Sequence, residues 1–134
     1  MTKFKRFYYL NFSAIAFLET FFILFLNNRN HIESNTVKLI GVMIFISALI
    51  ILFQYPLLLL YKNWIYKALI YYLSMIIFLF VFGVMFHYDQ HNNFQIDDLI
   101  ECGLKMVVMG QIFGGLIMYI IILILNWKLK EDIF

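Results

Sequence analysis

The side chain with the most chemical potential in this sequence is Glu19, set in Phe17-Leu18-Glu19-Thr20 within an otherwise apolar stretch. A carboxylate placed in hydrocarbon costs several kcal/mol unless it is paired, neutralised or wetted. Counted from the end of its stretch, Glu19 lies about eight residues, or roughly 12 Å, below the surface of the apolar zone. Gln111, counted along the last apolar stretch from near Gly103, comes to about the same depth, and Ser47 and Ser74 fall within roughly one turn of that level. Glu19, Gln111, Ser47 and Ser74 therefore predict a small polar layer in which Glu19 and Gln111 meet. Two roles fit the acid: a proton or cation site, or a carboxyl kept neutral as interhelical glue, bonded to Gln111 or to another subunit. Neither Lys nor Arg joins the layer to form a relay. Asn11, about 80° around the same helix, either extends a polar path or is an interfacial residue without consequence.

Small residues mark where helices approach. Gly103, Gly110 and Gly114 fall within about 40° of one another on a straight helix, and Gly110-Gln111-Ile112-Phe113-Gly114 is a GxxxG pattern with Gly115 widening the groove. The packing partner is either in the same chain or in a second copy. Pro56 removes a backbone donor and leaves the carbonyl of Leu52 without its helical partner, which predicts a kink; the nearby Gln54 either satisfies backbone there or only shapes the helix end.

Other candidates for chemistry are thin. His31, His87 and His91, with Asp89, Asp97 and Asp98, offer imidazole and carboxylate ligands, but their spacing matches no compact metal pattern, so no metal is expected. Glu101 and Lys105 are four apart in the favourable order for an ion pair. The one Cys, Cys102, excludes an internal disulfide and reads as a buried thiol or, on an oxidising side, a bridge between subunits. No Ser and His share a depth in the apolar spans, and neither an aspartate-rich motif nor an inward Arg cluster is present, so catalysis and cofactors are not expected.

The elements that must position these residues follow from composition. Of 134 residues, 64% are hydrophobic and 13% charged, far more apolar than a globule of this size can bury. A helix crosses a bilayer with about 20 apolar residues, and four such stretches, about 7–26, 37–60, 65–86 and 99–125, use up nearly all of 1–134. The expected fold is all-α: a single four-helix transmembrane domain, up-down in order, with Asp98 as N-cap of the last helix and Glu101 closing a capping box. The first stretch lacks the small residues of a cleavage site, so it is expected to be retained. The segment after residue 125 reads as a short charged tail.

Lys3, Lys5, Arg6, Lys62, Lys67, Lys128 and Lys130 all fall at one end of such a bundle, while Glu33, Asp89, Asp97, Asp98 and Glu101 collect at the other. Positive residues are held on the cytoplasmic side, which predicts a multi-pass protein of the inner (plasma) membrane with both termini cytoplasmic. A formal charge of +2 is too small and dispersed for nucleic acid.

Two functional classes follow. One is a non-catalytic protein that binds another membrane component, as immunity proteins against pore-forming toxins and the membrane parts of defence systems do; its partners would be the bilayer and a second copy or another membrane protein. The other is a small proton- or cation-coupled transporter or channel using Glu19. In layout the chain is similar to the small multidrug resistance exporters, which are also short four-helix proteins with one embedded Glu in the first helix. The residues flanking Glu19 are not theirs, and Gly83 is the only glycine in the third span. That likeness implies Glu19 as a shared site for proton and cationic substrate.

Overall fold

The computed structural model describes residues 2–27, 34–91 and 95–134. The described chain is all helical, with α1 (Lys3–Asn27), α2 (Ser34–Leu60), α3 (Trp64–His91), α4 (Ile96–Gly110), a π-helical turn (Gln111–Gly115), α5 (Leu116–Lys128) and the single-turn α6 (Lys130–Ile133). Together α4, the turn and α5 make the fourth of four spans long and apolar enough to cross a membrane. The four consecutive spans pack α1 on α2, α2 on α3 and α3 on α4, while α5 and α6 close back on α1.

All four spans are longer than their apolar stretches, because the helices continue through the mixed aromatic and charged residues at their ends. The last one begins at Ile96 with Gln95 at its N-cap position and no side-chain cap bond, so Asp98 is not the cap. Asp97 and Asp98 lie instead in the first turn, where a negative charge complements the helix dipole. Helix α2 is assigned as continuous through Pro56 to Leu60.

The surface is apolar and the centre partly polar, as a lipid-facing bundle requires. Phe17, Phe53 and Ile112 are 73%, 70% and 75% exposed. Two aromatic-rich cores fill the interior. Phe7, Ile51, Tyr55, Leu58, Tyr71, Ile122 and Ile133 form one toward the end that carries both termini. Phe22, Ile23, Leu39, Met43, Phe78, Leu79 and Phe82 form the other toward the opposite end. Along α1 and α2, Glu19 and Ser47 fall between the two.

Gly83 and the glycines of the fourth span are occupied within the chain, whereas Gly41 of α2 faces open space. A Cβ on Gly83 would lie 2.7 Å from the Cys102 carbonyl oxygen and 2.9 Å from Gly103 Cα, so α3 and α4 touch backbone to backbone there. Gly103 faces Phe80 and Gly110 faces Leu79, both of α3. Gly114 does not continue the same stripe: it meets Phe22 of α1 and has φ +149°, a conformation that only glycine takes without strain. The π turn also brings the Gly110 carbonyl to 2.8 Å from where a Gly115 Cβ would stand. Leu79 also comes to 3.1 Å from that point, so Gly115 both lets its own helix bulge and extends the seat that Gly110 offers to α3.

The segment after α5 is not a free solvated tail. Ile133 is buried, Tyr55 Oη donates to its carbonyl at 3.2 Å, and Phe134 stacks on Tyr55 and meets Phe7 and Trp64. Lys67 sits over the Phe134 ring and Lys130 over the Trp127 ring, at 3.9 and 4.0 Å, so two interfacial cations are held by aromatic faces.

Candidate functional site

The helical period places Glu19 on the inner face of α1, where it is 0% exposed. From α2, Ser47 Oγ donates to Glu19 Oε2 at 2.8 Å. The other carboxyl oxygen, Oε1, is buried and accepts no hydrogen bond from the protein. Among the described residues no cation pairs with Glu19. A carboxyl in this setting has one oxygen fixed by a hydroxyl and one available to a proton, a cation or a ligand.

Gln111 does not complete the layer. It accepts from Tyr72 Oη at 2.8 Å, a partner on α3. Counted from the start of the fourth span at Ile96 rather than from Gly103, Gln111 lies about 15 residues, or roughly 22 Å, along it, level with Tyr72 rather than with Glu19. Ser74 is also engaged elsewhere. Gln54 Nε2 donates to Ser74 Oγ at 3.0 Å, and Ser74 Oγ donates to the Ile70 carbonyl at 2.9 Å. Gln54 is therefore turned toward α3 rather than toward backbone freed by Pro56. The four expected residues resolve into three contacts: Glu19 with Ser47, Gln111 with Tyr72, and Ser74 with Gln54.

Two of these contacts share a cavity. A space of about 70 Å³ walled by all four spans is lined by Ser47, Gln54, Ser74 and Tyr71, with Ile15, Met75, Ile122 and other apolar residues making most of its wall. Tyr71 Oη is buried and has no protein partner. Ser47 touches both Glu19 and this cavity, so the carboxyl is one hydroxyl away from open volume inside the bundle.

A second buried polar pair was not expected from the sequence. Asn11 Nδ2 donates to Asn126 Oδ1 at 3.0 Å, and Asn126 Nδ2 returns a bond to Asn11 Oδ1 at 2.8 Å. Each amide also donates to its own helix, Asn11 to the Phe7 carbonyl and Asn126 to that of Ile122. Asn126 belongs to α5 and not to a tail. No count along the helices pairs them, since Asn11 lies eight residues from the start of α1 and Asn126 two from the end of α5.

Glu101 and Lys105 form the expected ion pair at 3.2 Å, exposed on both sides, where such a pair contributes about 0.3–0.5 kcal/mol. Cys102 is a half-buried free thiol at the α3 contact. His31 and Glu33 lie outside the described residues, as do the side chains of Asp89 and His91; among the described residues no cluster could hold a metal ion.

No protein-family model matches the chain, and no curated protein and no solved structure is significantly similar to it. The fold and the site therefore carry the functional argument alone.

Proposed function

We propose that this is a small, non-catalytic protein of the inner (plasma) membrane, with both termini cytoplasmic, that works through Glu19 as a proton- or cation-coupled transporter or channel. The orientation rests on the seven cations gathered at the end of the bundle that carries both termini. One observation supports the role of Glu19: its carboxyl is fully buried, held at one oxygen by Ser47 and unpartnered at the other. Buried polar groups are almost always satisfied, and an exception calls for a functional or structural reason. Proton or cation occupancy of Oε1 supplies one, and the adjoining cavity gives the occupant somewhere to move.

The test is proton flux into liposomes containing a trapped pH-sensitive dye. The wild-type protein should collapse an imposed pH gradient faster than empty liposomes do, and E19Q, which keeps an acceptor for Ser47 but has no acid, should not. Equal rates for the two proteins, or a wild-type rate no faster than empty liposomes, would overturn this reading.

The second reading, binding of another membrane component as an immunity, defence or regulatory subunit, draws on a different feature. Phe17, Phe21 and Phe25 recur every four residues and stand outward as an aromatic ridge on α1, a surface on which another membrane helix or a second copy would pack. The glycines of α4 no longer support it, because they are filled from within the chain. Cross-linking through F21C in native membranes, with capture of a second copy or another protein, is the measurement that favours it; no product on any outward position of the ridge removes its basis.

A further inference from the structure

A groove of about 870 Å³ runs along the surface of the bundle between α1 and the α5–α6 segment. At its terminal end stand Arg6 of α1 and Asp132 of α6, both exposed, and its floor is made by Leu10, Ala14 and Leu125, with Phe17 at the far end. From Arg6 to Phe17 is 11 residues of unbroken helix, about 16 Å, which matches one leaflet of a hydrocarbon core about 30 Å thick. The groove is thus about one leaflet long, charged at the end that carries the termini and, but for Tyr9 and Ser13, aliphatic or aromatic hydrocarbon along the rest.

The charges at the mouth have both signs, and no ion pair joins Arg6 to Asp132 among the described residues. Asp132 is held in place: its amide bonds the Leu129 carbonyl at 3.0 Å, and the next residue, Ile133, is anchored in the core by Tyr55. An occupant that satisfies both groups carries an anion for the guanidinium and a cation that can donate to a carboxylate. A helix from a second copy would cross both leaflets and has no reason to stop at Phe17.

We propose that this groove is a binding seat for an aminophospholipid: the phosphate lies on Arg6, the primary ammonium on Asp132, and one acyl chain runs along Ala14 and Leu125 to Phe17. A guanidinium takes a phosphate through paired charge-assisted hydrogen bonds. A primary ammonium has three N–H donors for Asp132, whereas a choline group has none and a glycerol headgroup has no positive charge. The seat is independent of the role of Glu19 and requires only that the chain lie in a bilayer.

The experiment places the full chain in bilayers of equal parts phosphatidylethanolamine, phosphatidylcholine and phosphatidylglycerol, extracts it mildly and quantifies the lipid that stays bound. The seat should retain the ethanolamine lipid over each of the others by at least about fivefold, corresponding to roughly 1 kcal/mol of headgroup discrimination. D132N should abolish its preference over the choline lipid, R6Q should lower retention of every phospholipid, and A14W, which fills the floor, should empty the seat with helicity unchanged. Retention in bulk proportions, or a preference untouched by D132N and A14W, would overturn the proposal. So would efficient cross-linking between copies through A14C, which would assign the groove to a second copy of the chain.

Discussion

Two buried polar pairs join neighbouring helices in this bundle, and they differ in how completely their atoms are used. Asn11 and Asn126 exchange two hydrogen bonds and send their remaining donors to the Phe7 and Ile122 carbonyls, so every amide N–H is committed. Glu19 and Ser47 share one bond and leave a carboxyl oxygen without a partner. A closed network rigidifies the helices it joins, while a half-satisfied one costs stability where it sits. The first is what a clasp between α1 and α5 requires; the second, beside a cavity, is what a site requires.

Variants at the two pairs should therefore fail in different ways. The largest effect is expected from E19Q, whose flux falls to that of empty liposomes, while its stability in detergent changes by less than about 1 kcal/mol because the new amide oxygen still accepts from Ser47. Asn126→Leu should do the reverse: leaving the Asn11 amide without its partner lowers unfolding stability by about 1–3 kcal/mol, and the protein that remains folded keeps its flux. The double variant N11L/N126L, with both amides removed, should be more stable than the sum of the single losses implies, by about 0.5–2 kcal/mol in a double-mutant cycle. Additive losses would show that the clasp is not a coupled pair. The smallest effect belongs to Ser47→Ala, about 0.5–1.5 kcal/mol of stability with flux still measurable, since the carboxyl itself is untouched.

The same two pairs mark how far a sequence can be read. Spans announce themselves, because a run of about 20 apolar residues has almost nowhere to go but a bilayer. Their ends do not: Lys3, Tyr88 and Ile96 lie in helix although polar or charged neighbours suggest loop, and counting depth from Gly103 sets Gln111 at the wrong level. The burial of Glu19 was legible, since the bilayer penalises any other placement, and Ser47 fell within reach of it by simple counting. The α1–α5 clasp was hidden because Trp127 and Lys128 make Asn126 resemble the start of a tail. The anchoring of Ile133 and Phe134 was hidden too, since it depends on Tyr55 and Trp64 arriving from distant parts of the chain. The straight-helix geometry that puts Gly110, Gly114 and Gly115 on one face fails at a π turn: Gly110 and Gly115 meet Leu79 of α3, and Gly114 meets Phe22 of α1.

That turn sets the angular phase of everything after it. A π turn is a helix with one residue to spare, and each residue of an α-helix advances the chain by about 100°. Winding the Gln111–Gly115 segment as a regular α-helix without removing a residue would swing α5 by about that angle, carrying Asn126 away from Asn11 and Tyr119 away from the Ala68 carbonyl it now holds at 3.0 Å, whereas deleting one residue along with the bulge would keep both contacts in phase. The bend at Gly114 works as a keyway: it lets one span present its first half to α3 and its second half to α1 and α3 together.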